Sequence, residues 1–218
     1  MSIVTVERKI LKKNDEVADE NRNIFAKNKL FTLNLLSSPG SGKTTLLEKT
    51  LEIISGKLKI AVIEGDVQTD NDAQRIAKYN VPVVQIVTNG GCHLEAKLIQ
   101  NALENFELSA LELLIIENVG NLVCPANYDL GESKKIVLLS TTEGDDKPLK
   151  YPSMFRVSDV LIINKIDLLD YVDFSVETVK KNALSINPNL NIFEMSCKTG
   201  KGVNKWIDWL YKNSQSDK

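Results

Sequence analysis

The chain has 218 residues, of which 43% are apolar and 26% charged, with a formal net charge of -2. That is the balance of an ordinary globular protein long enough for one large core, and it excludes a strongly basic nucleic-acid binder. No apolar run approaches the roughly 18 residues of a membrane span, the N-terminus lacks a signal-peptide core, and three scattered cysteines make no disulfide framework. The expectation is a cytoplasmic protein with reduced thiols, bound to neither nucleic acid nor membrane.

In chain order, residues 1–28 are polar and helix-favouring, with sparse apolar positions at Val6, Ile10, Val17 and Ile24. They predict an N-terminal helical arm that packs on the domain or on a partner, and residues 29–218 predict the domain itself. The apolar run "LFTLNLLSS" ends in Ser, Pro and Gly and reads as a buried strand and turn. "TTLLEKTLEII" then has helical periodicity, stopped by Ser55-Gly56. Strands follow at "LKIAVIEGD", "VPVVQIVT", "LELLIIENVG", "KIVLLSTTEG", "DVLIINKID" and "LNIFEMS". Helices are predicted at "NDAQRIAKYN", "HLEAKLIQNALENF", "DFSVETVKKNALSI" and "GVNKWIDWLYKN". Near-continuous apolar strands alternating with helices imply an α/β fold with a mostly parallel sheet covered on both faces. In such sheets ligands sit beyond the carboxyl ends of the strands, where most of the polar motifs lie.

The first such motif, "SPGSGKTT", has the phosphate-loop form G-x-x-x-x-G-K-S/T, with Ser37 where the first glycine belongs. Gly40, Ser41, Gly42, Lys43, Thr44 and Thr45 predict backbone N–H groups converging on phosphate at a helix N-terminus. Lys43 is expected to reach the outer phosphates, and the Thr44 hydroxyl to ligate Mg2+. "LLIIENVG" has the form of a Walker B strand, with Glu117 as the acid and Gly120 as a candidate sensor of the γ-phosphate. "EGDVQTDND" offers Asp66, Asp70 and Asp72 for Mg2+ or water, with Asp66 ranked first, Asp72 second, and Asp70 better read as a helix cap. No free arginine finger is evident, so slow intrinsic hydrolysis is expected.

About 120 residues after the phosphate loop, "NKID" supplies Asn164, Lys165 and Asp167. The Asp167 carboxylate can accept from the ring N–H and the exocyclic amine of guanine. Adenine would leave it unpaired, at about 1–3 kcal/mol or more. Asn164 can reach the base edge or hold neighbouring loops, and the Lys165 stem can lie over the ring. "SCK" (Ser196, Cys197, Lys198) resembles the S-A-K loop of GTP-binding proteins, with Cys197 replacing a small alanine. Elsewhere, Cys92 stands beside His93, the sole histidine, and Cys124 follows Glu117 by seven residues. Thiolate and imidazole suit zinc or nickel, although each cysteine also reads as a small buried hydrophobe. One chain supplies three ligands where a closed tetrahedral site needs four, and a symmetric dimer would bring two such sets together.

Together, "SPGSGKT", "EGDVQTDNDA", "GCHLEA", "IENVGNLVCPANYDLGE", "TTEGDDKPLKYP" and "NKIDL" resemble, in the same order, the hydrogenase nickel-incorporation GTPases of the HypB family. The likeness spans roughly residues 30–210. It implies a P-loop GTPase of the signal-recognition/MinD class that forms a homodimer with GTP. It further implies Ni2+ or Zn2+ binding through Cys92, His93 and Cys124, a small HypA-like nickel metallochaperone as partner, and the [NiFe]-hydrogenase large subunit as acceptor. Residues 1–28 hold neither the cysteine motif nor the histidine-rich tract of some family members, which leaves the GTP-linked site as the one expected. Three alternatives remain: a urease-type accessory GTPase, disfavoured by "ENVGNLVCP"; a P-loop small-molecule kinase, disfavoured by "NKID"; and a non-catalytic metal store, for which one histidine offers little capacity.

Overall fold

A computed structural model describes residues 6–68 and 71–216 of the chain. Asp70 and the side chains of Val6 and Ile10 lie outside the described residues. The chain opens with α1 (Val6–Lys27), β1 (Phe31–Ser37), α2 (Lys43–Ile54) and β2 (Ile60–Asp66). Next come α3 (Asn71–Ala77), β3 (Val83–Val87), α4 (Ala96–Leu103), β4 (Leu113–Glu117) and β5 (Lys134–Ser140). It continues through α5 (Lys147–Lys150), α6 (Pro152–Val157), β6 (Val160–Asn164), α7 (Val176–Ile186), β7 (Asn191–Glu194) and α8 (Val203–Ser216).

The seven strands form one sheet in the order β3-β2-β4-β1-β5-β6-β7, and every ladder is parallel. Burial explains which strands are central. Every residue of β1, β4 and β6 is buried, whereas β7 at one edge is exposed at both ends and half-buried between them. On one face, Leu33, Leu35, Ile115 and Leu138 pack against Leu46, Leu47 and Leu51 of α2 and Trp206 of α8. On the other, Ile63, Leu114 and Ile116 pack against Phe25 of α1 and Ile99 of α4, while Leu139 and Ile163 meet Phe155 of α6 and Val179 of α7. Each such buried leucine or isoleucine contributes about 1.5–3 kcal/mol relative to exposure. Among the described residues no helix is long and apolar enough to cross a membrane.

Two local readings are corrected. The helix expected from His93 starts at Ala96, because Glu95 is extended and His93–Leu94 belong to the preceding loop. Residues 147–157, where the sequence pattern predicts no element, form α5 and α6, each carrying a proline in its first turn, where no N–H is needed. Helix α1 lies against α4 and the loop after residue 128. Asn14 Nδ2 donates to Asp129 O at 2.8 Å, and Asn21 Nδ2 to Ala96 O at 2.9 Å and Leu130 O at 3.0 Å.

Candidate functional site

The loops leaving β1, β2 and β4 surround a cleft of about 540 Å³ at the carboxyl ends of the strands. Gly40, Gly42, Lys43, Thr44, Thr45, Asp66, Asp72, Glu117, Gly120 and Lys165 line it. Two glycines there are dictated by geometry. Gly42 has φ +102°, and a Cβ on it would stand 2.6 Å from Asn164 Nδ2. A Cβ on Gly120 would come within 3.1 Å of Pro39, so the candidate sensor abuts the phosphate loop. Ser37, by contrast, closes β1 and has no positive φ, so no glycine is needed there. Its hydroxyl instead accepts from Lys43 Nζ at 3.0 Å and donates to Ser38 O at 2.7 Å. Ser41, fully buried, braces the loop by donating its hydroxyl to Ser38 O at 2.9 Å.

Oxygen donors gather beneath the loop. The Thr44 hydroxyl donates to Glu117 Oε1 at 2.8 Å, and Glu117 Oε2 is buried without a hydrogen-bond partner. Lys43 Nζ lies 4.0 Å from Glu117. Burial pushes the Glu117 carboxyl up to about 7, against the pull of Lys43 and the Thr44 hydroxyl. A small hard cation takes such donors, so Thr44 and Glu117 fit magnesium, and Asp66 lines the same cleft. Asp72 lies on the same cleft but is paired with Arg75 at 3.0 Å, and Arg75 is also held by Glu48 at 2.6 Å.

Sequence reasoning passed over Glu64, although an acid inside the apolar run "AVIEGD" is visible as an anomaly. Glu64 is 2% exposed, stands beside Glu117 in the β2–β4 register, and has a partnerless Oε1. Burial, reinforced by the Glu117 charge, pushes its carboxyl up to about 10. The unfolded chain gives up that proton above about pH 4.5. The folded chain holds it, so stability falls as pH rises from the unfolded value toward the folded one. Without nucleotide and with EDTA, Glu64→Gln is expected to raise unfolding stability at pH 7 by about 3 kcal/mol and to flatten its decline with pH. Urea unfolding at several pH values measures this, and an unchanged slope would contradict it.

At the other end, Asn164 ties three loops together. Its Nδ2 donates to Ser41 O at 3.0 Å, and its Oδ1 accepts from Cys197 N at 3.2 Å. Lys165 Nζ donates to Gly40 O at 2.7 Å. Asp167 Oδ1 is buried with no hydrogen-bond partner, a free acceptor beside the tied loops. Ser196 is buried and Lys198 exposed, while burial pushes the Cys197 thiol up to about 11, the state of an unreactive packing residue. Of the six base-reading candidates only Lys165 lines the cleft, so Asn164, Asp167, Ser196, Cys197 and Lys198 lie beyond it.

A third cluster lies past the cleft. The donor atoms of Cys92, His93 and Cys124 all fall within 4.8 Å of one another. His93 Nδ1 is 3.6 Å from Cys92 Sγ, and its ring stacks on Tyr128 with centroids 3.8 Å apart. His93 Nε2 is buried without a hydrogen bond, the carboxylate of Glu95 being 3.8 Å away. Burial lowers the imidazole's pKa, keeping it in the neutral form that ligates metal. A hydrogen bond with Cys124, together with burial, raises the Cys92 thiol. Two soft sulfurs and an imidazole are a donor set for nickel or zinc. Tyr128 and Asn118, which touch these loops, lie within the segment "IENVGNLVCPANYDLGE", but their roles are not legible there because their contacts arise only in the fold.

The family pattern described as "CobW/HypB/UreG, nucleotide-binding domain" matches residues 31–194. A hydrogenase maturation factor HypB from Azotobacter chroococcum mcd 1 is 51% identical over 208 residues, covering 95% of this chain and 68% of that protein. A hydrogenase/urease maturation factor HypB from Helicobacter pylori is 44% identical, covering 98% of this chain and 89% of that protein. The crystal structure of Helicobacter pylori HypB in complex with nickel superposes with a TM-score of 0.89, covering 94% of this chain and 96% of that one. The signal recognition particle receptor FtsY of Elizabethkingia anophelis, 13% identical with a TM-score of 0.54, covers 87% of this chain and 70% of its own and shares the fold alone. A family match across the sheet and a relative half identical along nearly the whole chain place this protein in the CobW/HypB/UreG family, among the HypB hydrogenase maturation factors.

Proposed function

We propose that the protein is a GTPase whose nucleotide state sets the affinity of a nickel site, so that nickel is passed to a [NiFe]-hydrogenase during maturation. The observation that carries this reading is one short segment. Glu117 and Gly120 line the cleft, and Cys124, seven residues beyond Glu117, belongs to the sulfur and imidazole cluster. In this reading Gly40 to Thr45 cradle the phosphates and Lys43 neutralises the outer ones. Asp167 reads guanine, with Asn164, Lys165 and Ser196 to Lys198 shaping its surroundings. Magnesium, held by Thr44 with Glu117 and Asp66, supplies charge neutralisation at the phosphates when bound. Asp72 would join it only by leaving Arg75.

Nickel is the cargo, held by Cys92, His93 and Cys124, and zinc is the competitor that the same donors accept. A homodimer formed with GTP would set two such clusters face to face and complete the coordination. Residues 1–28 serve as an arm on the GTPase domain of residues 29–218. The cytoplasm, a small HypA-like metallochaperone and the hydrogenase large subunit complete the setting. The test is turnover and size together. With Mg2+ the protein should hydrolyse GTP slowly and ATP not measurably, and a non-hydrolysable GTP analogue should shift it to a dimer on size exclusion. Equal turnover of both nucleotides, or no nucleotide-dependent change in size, would contradict the reading.

A second reading has one specific support, the Helicobacter pylori relative named for urease as well as hydrogenase. A deletion strain separates the two, since the nickel enzyme that stays inactive identifies the acceptor.

A further inference from the structure

Asn118 lines the cleft, is 1% exposed, and bonds to the loop that carries the metal ligands Cys92 and His93. One atom of it serves two loops. Its Oδ1 accepts from Val119 N at 2.9 Å, on the segment that carries Gly120, and from Leu94 N at 3.1 Å, on the residue after His93. Its Nδ2 donates to Asn34 Oδ1 at 3.2 Å, and Asn34 Nδ2 donates in turn to the buried Glu132 at 2.9 Å. The side chain is thus fixed at its amide end to β1 and free to respond only at its carbonyl end.

Both loops are held tightly enough to transmit a shift. Gly120 has no room against Pro39 of the phosphate loop, and Leu94 is fully buried against Gly65, where a Cβ would meet its side chain at 2.7 Å. A second, weaker tie runs parallel. Asn121 Nδ2 donates to Cys92 O at 3.4 Å and Asn121 Oδ1 accepts from Val123 N at 2.8 Å, beside Cys124. Asn21 and Asn164 also bridge separate segments, but through different atoms or to loops that carry no metal ligand. Asn118 shares a single acceptor between the two loops that carry the candidate phosphate sensor and the candidate nickel ligands. A phosphate that draws the Val119–Gly120 segment toward the cleft therefore changes the hydrogen bond available to Leu94.

We propose that Asn118 is the positioning residue through which the nucleotide's outer phosphate moves the loop of Cys92 and His93. The proposal rests on the reading of the cleft as a GTP site and deepens it by naming the link. The experiment is amide hydrogen exchange followed residue by residue by NMR, on metal-free protein loaded with GDP or with a non-hydrolysable GTP analogue. In the native chain the protection of the Leu94 and Val119 amides should change together between the two nucleotides. In Asn118→Ala the Val119 amide should still respond to the nucleotide and the Leu94 amide should not. Asn118→Asp retains an oxygen for both amides and, protonated, a hydrogen for Asn34, so it should keep the joint response and serves if the alanine variant does not fold. A Leu94 amide indifferent to nucleotide in the native chain, or still responsive in Asn118→Ala, overturns the proposal. Because metal is absent, a joint response that survives while nickel affinity ignores the nucleotide sustains the link and sinks only the metal-coupling reading.

Discussion

Asp167→Ala is expected to weaken GTP binding by about a thousandfold, since two hydrogen bonds to a charged group are worth about 1.5–3 kcal/mol each. Behind the size of the effect is a carboxylate with no protein hydrogen bond at Oδ1, whose two oxygens would take the guanine N–H and amine as a pair. ATP binding, weak from the start, should not change, because adenine offers that carboxylate no donor pair. Asp167→Asn sharpens the test. Its amide can donate to a purine bearing a carbonyl in place of the exocyclic amine, so xanthosine triphosphate should gain what GTP loses. Competition against a fluorescent nucleotide measures all three. Equal binding of GTP and ATP to the native chain, or an unchanged GTP affinity in Asp167→Ala, would remove guanine specificity from the account.

Cys124→Ala is expected to lower nickel affinity by at least about a hundredfold, given that changes just outside a metal's ligands already cost 10–100-fold. The three donors converge within 4.8 Å, so losing one leaves a two-ligand site on each chain. Cys124→Ser should not restore binding, because a hydroxyl is a hard donor and does not deprotonate as the thiol does. Cys124 is only half-buried, at the start of a short 3-10 turn, so the substitution should leave the fold and GTP binding intact. Calorimetry with Ni2+ decides it, and undiminished affinity in Cys124→Ala would place the nickel elsewhere.

Elements defined by strong local patterns could be read from the chain. The apolar run of β1, the glycine-rich turn and the periodic α2 fix each other, and the structure has them in that order. The two turns of α5 and α6 could not be read, because Pro148 and Pro152 look like breakers until each is seen in a first turn. Ser37 departs from the phosphate-loop pattern at its first glycine. It is a strand residue whose hydroxyl bonds Lys43, a role the pattern does not carry because it counts residues and not backbone conformation. Glu64 was visible as a misplaced charge, but its neighbour Glu117 comes from a strand 53 residues later, and only the register brings them together. The bonds of Asn118 to Leu94 and Asn34 likewise depend on strands that meet after folding.

In the proposed cycle the nucleotide cleft and the metal cluster act as one coupled device. If they do, linkage requires that the nucleotide change nickel affinity as much as nickel changes nucleotide affinity. The most direct measurement is a nickel titration of the native protein with GDP and again with a non-hydrolysable GTP analogue. The two dissociation constants are expected to differ by about fivefold or more. Identical affinity and stoichiometry in both nucleotide states would contradict it.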